Sequence, residues 1–128
     1  MKAAPVMTLE MKKRPLTVTI LGVLYIAVGV VGTASHFIEF KTHLPTHSEL
    51  ISIGLLGVLA VLAGGFMLRA RNWARWLALA WMAFHVAISV YHPLRELAVH
   101  SLLLVLFAYL LFRPEAGAYF RSPRAGPA

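Results

Sequence analysis

The stretch covering residues 16–37, LTVTILGVLYIAVGVVGTASHF, contains no Asp, Glu, Lys or Arg. As a helix rising about 1.5 Å per residue, it is long enough to cross a hydrocarbon core of about 30 Å. Lys12, Lys13 and Arg14 stand directly before it, and Pro15 marks its start. A secretory signal peptide has a shorter apolar region, of roughly 7–15 residues. The stretch therefore reads as a transmembrane helix, with Thr33-Ala34-Ser35 the place where the rival reading would put cleavage.

Working outward, three more apolar runs follow, at about 50–68, 73–91 and 94–112. Residues 36–49, with Pro45, three histidines and two glutamates, read as a loop. Arg69-Ala70-Arg71-Asn72 reads as a tight basic turn. His92-Pro93 breaks the third run, because proline cannot continue the backbone ladder, and Pro93 suits the start of the fourth. The runs are too long and too continuously apolar for barrel strands, and only helices or closed barrels satisfy their backbone in lipid. The expected fold is an all-α integral membrane protein, a four-transmembrane-helix up-down-up-down bundle. Residues 1–15 form a basic leader, 16–112 a single four-helix domain, and 113–128 a loosely ordered tail.

Composition agrees with that reading. Of 128 residues, 59% are hydrophobic and 13% charged, whereas a soluble domain needs about a quarter charged. The formal charge of +7 does not point to nucleic acid. The basic residues punctuate apolar runs rather than form a patch with interleaved aromatics. The absence of cysteine excludes disulfides, Cys-ligated zinc and iron–sulfur clusters. Lys2, Lys12, Lys13, Arg14, Arg69, Arg71, Arg75, Arg113, Arg121 and Arg124 fall on one side of the four-span arrangement, and only Lys41 and Arg95 on the other. The positive-inside rule places the first side, with both termini, in the cytoplasm.

The histidines show the opposite bias. His36, His43, His47 and His92 lie in or beside the outer loops, and His85 and His100 within the outer halves of spans. Glu39, Glu49 and Glu96 share that side. His85 lies seven residues before His92, hence about 10 Å deep, and His100 lies six past Leu94, about 9 Å deep on the returning helix. The two therefore share a depth on neighbouring antiparallel helices. At about 100° per residue, Trp81, His85, Ser89 and His92 share one stripe, and Glu96, His100, Leu103 and Phe107 another. Gly22, Tyr25, Gly29, Gly32 and His36 share a face of the first helix. Polar faces turn inward in lipid, so these stripes are expected to converge on one outer pocket.

Such a pocket suits several chemistries. Imidazole and carboxylate ligate transition metals, which makes His36, Glu39, His85, His92, Glu96 and His100 the candidate metal ligands. His85 and His100, with His36 as a substitute partner, are the candidate cofactor ligands, haem included. Against this stands the plainer use of membrane histidines as hydrogen-bonding groups between helices. Arg69, Arg71 and Arg75 read as topology determinants at lipid phosphates. No nucleophile elbow, phosphate loop or H-E-x-x-H is present, so no catalytic residue is assigned.

Arg71-Asn72-Trp73-Ala74-Arg75-Trp76-Leu77 leading into His85, and Leu110-Leu111-Phe112-Arg113-Pro114 followed by Ala118-Tyr119-Phe120, resemble a set of small, functionally uncharacterised bacterial four-helix membrane proteins. The first span and the glycine-rich second also resemble, more distantly, DoxX-type membrane proteins. The resemblance implies a multi-pass protein of the bacterial inner membrane and carries no chemistry. The first span lacks the embedded glutamate of small multidrug transporters, and the glycine-and-arginine pattern of fluoride channels is missing. The expected function is an accessory subunit or binding protein with a polar outer pocket. A metal- or haem-binding redox protein and a small transporter are the alternatives. The expected partners are the lipid bilayer and, through the glycine faces, a second copy or a larger membrane complex.

Overall fold

A computed structural model describes residues 14–121. Most of the leader and the last residues of the tail lie outside that range. The described residues are all-helical: α1 (Leu16–Glu39), α2 (His47–Leu68), α3 (Asn72–Ser89), α4 (Leu94–Phe112) and α5 (Pro114–Arg121). Three of them, α1, α2 and α4, are long and apolar enough to cross a membrane. The helix α3 is not one of these, because Arg75, His85 and three tryptophans lower its hydropathy.

Local chemistry sets the boundaries. The α2 helix begins earlier than the apolar run suggests because Thr46 and Glu49 form a capping box. The Glu49 N–H donates to Thr46 Oγ1 at 3.3 Å, and the Thr46 N–H donates to Glu49 Oε2 at 2.7 Å. Two N–H groups that the helix leaves unpaired are thereby satisfied. The basic turn closes α2 with Ala70 in the left-handed region, φ 58°. Arg71 N–H donates to Phe66 O and Ala70 N–H to Met67 O, both at 3.0 Å, the pattern that usually places glycine there.

The α1–α2 pair is the most closely packed in the molecule. Gly22 and Gly29 are seven residues apart on α1, as are Gly57 and Gly64 on α2. In the antiparallel pair Gly22 meets Gly64, and Gly29 meets Gly57. A Cβ on Gly29 would lie 2.7 Å from the Gly57 carbonyl oxygen, and one on Gly64 would collide with the Gly22 carbonyl. Small residues let the backbones approach this closely, where dispersion replaces the hydrophobic effect as the cohesive force. Gly32, Gly54 and Gly65 have open space instead. The glycines expected to mediate association between copies are thus divided, and four of them serve contact within the chain.

The helices α2 with α3, and α3 with α4, pack as successive neighbours, whereas α1 and α4 touch only lightly. The core runs through Leu21, Tyr25, Ala60, Ala63, Met67, Ala74, Ala78, Phe107 and Leu111. The outer surface is apolar, with Ile20, Val31, Ile51, Val58, Leu102 and Val105 all exposed. Patches of this extent do not persist on a monomer in water.

The tail departs from expectation. Pro114 starts a further helix, α5, whose Ala116, Gly117, Tyr119 and Phe120 are buried against the bundle. Tyr119 O–H donates to Leu68 O at 2.8 Å, and Arg14 Nε donates to Tyr119 Oη at 3.3 Å, so α5 seals the arginine-rich end. Arg75 departs as well. It is 8% exposed, its guanidinium 4.4 Å from the Phe112 ring centre and 5.4 Å from that of Phe120. It is a packed residue within the bundle end, not one set out at the surface beside Arg69 and Arg71.

The glycine contact generates the first prediction. Gly64→Val should cost roughly 1–3 kcal/mol, since the backbones must part, while Gly65→Ala should be neutral or mildly stabilising. Reversible unfolding in mixed micelles measures both. Equal effects at the two adjacent positions would contradict the packing described.

Candidate functional site

The sparse contact between α1 and α4 leaves a cleft of about 570 Å³ in the histidine-rich half of the bundle. Leu24, Val28, Ile53, Leu56, Leu103 and Phe107 make it apolar. Six lining residues have polar side chains: Tyr25, Thr33, His36, Trp81, His85 and His100. The volume lies within the usual range for small-molecule sites, about 300–1,000 Å³, and a mostly apolar wall with few polar groups is their usual make-up.

Each polar side chain is held by a definite bond. Tyr25, 2% exposed, reaches across from α1 and donates its O–H to Ala78 O of α3 at 2.7 Å. Trp81 reaches from α3 to α2, donating Nε1–H to Leu56 O at 2.9 Å. The Tyr25 and Trp81 rings meet edge-on at 5.4 Å between centroids, and Phe107 closes on Tyr25 at 5.8 Å. Together these aromatic rings form the floor. Thr33 bonds back to Gly29 O at 2.6 Å, a local bond open to Ser and Thr in helices.

The two central histidines stand side by side. His85 stacks on Trp81 at 3.8 Å, and the His85 and His100 rings lie 6.1 Å apart and 28° from parallel. His85 Nδ1 is 2.9 Å from Trp81 O, and His100 Nδ1 is 2.8 Å from Glu96 O. A carbonyl oxygen only accepts, so both Nδ1 atoms carry the proton. Ser89 closes the hairpin. Its hydroxyl donates to His85 O at 2.7 Å and its oxygen accepts from His100 Nδ1 at 2.9 Å. In the neutral rings each Nε2 is then a bare lone pair, and neither has a hydrogen-bond partner among the described residues.

The sequence-derived candidates divide accordingly. The three cofactor candidates, His36, His85 and His100, all line the cleft. Of the six metal candidates, Glu39, His92 and Glu96 do not. His36 and Glu39 pair at 3.4 Å on an exposed surface, as do His92 and Glu96 at 3.6 Å. Among the described residues, no three His, Asp or Glu side chains gather into a group that could hold a metal ion. Glu39 instead pairs with His36 on α1, and Glu96 pairs with His92 in the turn before α4. His43 meets the Phe40 ring edge-on, outside the cleft.

The wall supplied by α2, through Ile53, Leu56 and Gly57, has no counterpart in the sequence reading. The signal for it is the seven-residue spacing of Gly57 and Gly64, which matches that of Gly22 and Gly29 and fixes which face of α2 meets α1. Comparisons with protein-family models, curated proteins and solved structures found no match to this chain.

Proposed function

We propose that the chain is a four-span protein of the bacterial inner membrane, with both termini cytoplasmic, that binds an apolar small molecule in its outer half. It works as a non-enzymatic binding protein or as the binding subunit of a larger membrane complex. The observation that carries this reading is the cleft itself: apolar walls, an aromatic floor, and three histidines on a few lining positions.

The case for α3 as the fourth span rests on where its polar residues point. Its 18 residues reach about 27 Å as a helix, close to the thickness of the hydrocarbon core. Arg75 and Ser89 are buried, and His85 faces the cleft, so these polar residues of α3 are turned away from lipid. Trp73 and Trp76 stay exposed at the arginine end, where an aromatic belt belongs. The surplus of Lys and Arg at that end supports its cytoplasmic placement. A metal-centred site would lack a third ligand grouped with His85 and His100 among the described residues. Haem between His85 and His100 would have to part α3 from α4, which the Ser89–His100 bond holds together.

The lack of native cysteine makes topology directly measurable. In intact cells a membrane-impermeant maleimide should label Thr42→Cys but not Asn72→Cys. Labelling of both, or of Asn72→Cys alone, would contradict the orientation. Ligand binding is tested in Trp73→Phe/Trp76→Phe protein in nanodiscs, where Trp81 is the remaining tryptophan. Bromonaphthalene should quench its fluorescence saturably. Gly32→Phe, which fills the cleft from a position with open space around it, should abolish the saturable part. Quenching that rises linearly in both proteins would contradict a binding cleft.

A further inference from the structure

The cleft has an unusual balance of hydrogen-bonding groups. Tyr25 O–H, Thr33 O–H, Trp81 Nε1–H, His85 Nδ1–H and His100 Nδ1–H all donate to backbone carbonyls. Five of the six polar side chains therefore offer no proton to a guest. The sixth, His36, sits at the mouth beside Glu39, its side chain 53% exposed. What remains inside are acceptors, above all the two Nε2 lone pairs on stacked, fixed rings.

A site of this kind discriminates by the sign of the hydrogen bond. A guest bringing only acceptors, such as an ether, ester or ketone, would set lone pair against lone pair and leave both sides unpaired in an apolar space. A guest bringing a donor satisfies both at once. A cationic donor is disfavoured, because no carboxylate lines the cleft to offset the burial of its charge. A hydroxyl carries its proton without charge. The aromatic side chains of Tyr25, Trp81 and Phe107 in turn favour a ring next to that hydroxyl.

Resting on the reading of the cleft as a binding site, we infer that its ligand is a lipid-soluble aromatic alcohol whose hydroxyl donates to Nε2 of His85 or His100. The guest reaches the cleft between α1 and α4, which touch only lightly. The backbone bonds on Nδ1 pre-set the tautomer, so no proton needs to move on binding.

The test compares para-propylphenol with para-propylanisole, which is the same molecule with the hydroxyl methylated. Each competes with bromonaphthalene for the full-length Trp73→Phe/Trp76→Phe protein in nanodiscs, with concentrations corrected for lipid partition. The phenol is expected to compete about ten-fold or more better, the worth of one hydrogen bond to a buried acceptor. In His85→Phe/His100→Phe the two competitors should converge. Equal competition by phenol and ether on the parent protein overturns the donor inference and leaves the cleft reading standing. Failure of bromonaphthalene to saturate overturns the cleft reading and this inference together. A preference for the phenol that persists unchanged in the double variant also overturns the assignment to the histidines.

Discussion

Most side-chain polar hydrogens inside this bundle are held by backbone carbonyls, with Arg75 Nε the buried exception among the described residues. These bonds hold the helices together. Tyr25 ties α1 to α3 through Ala78 O, Trp81 ties α3 to α2 through Leu56 O, and Tyr119 ties α5 to α2 through Leu68 O. Each bond links the side chain of one helix to the backbone of another, so it fixes rotation as well as distance. In an apolar surrounding the alternative to each bond is an unsatisfied donor, which costs more than the bond itself gains. Ser89 follows the same logic within the α3–α4 hairpin, where one hydroxyl serves a carbonyl and an imidazole together.

The cleft is a consequence of unequal packing around that frame. Glycine at four matched positions draws α1 and α2 into backbone contact. The large rings of Tyr25, Trp81 and Phe107 fill the middle of the bundle and hold α4 away from α1 in the histidine half. At the arginine end α5 packs onto the bundle, with Phe120 and Arg75 in contact. One end is therefore sealed and the other hollow. The donor-to-carbonyl rule then decides the chemistry of the hollow, by leaving it with acceptors.

Much of this was legible in the residues. Pro93 precedes α4 and the run 94–112 is helical as expected, and the stripes through His36, His85 and His100 lead to the cleft. Three features were harder. The start of α2 hides in a polar stretch that reads as a loop, although Thr46-His47-Ser48-Glu49 is a capping sequence. The α5 helix hides behind Pro114 in a tail expected to be loosely ordered, although proline is favoured in the first turn of a helix. Its Ala116, Tyr119 and Phe120 already show helical spacing. The division of the six metal candidates is not visible in one dimension. Helical periodicity gives a side chain its face, whereas a partner one turn away competes with a partner across the bundle. Glu39 and Glu96 each lie beside a histidine of the α1 C-terminus or the α4 entry, and distance decides.

The account turns on which nitrogen of His85 and His100 carries the proton. Nitrogen-15 NMR of histidine-labelled protein in bilayers at neutral pH reads this directly, with assignment by single substitution of each histidine. The expected result is a proton on Nδ1 of both rings, as their carbonyl partners require, with Nε2 left bare as the acceptor that the proposed guest needs. A bare Nδ1 in either ring would break its backbone bond, and a proton on Nε2 would put a donor into the cleft; either result would contradict the description of the site.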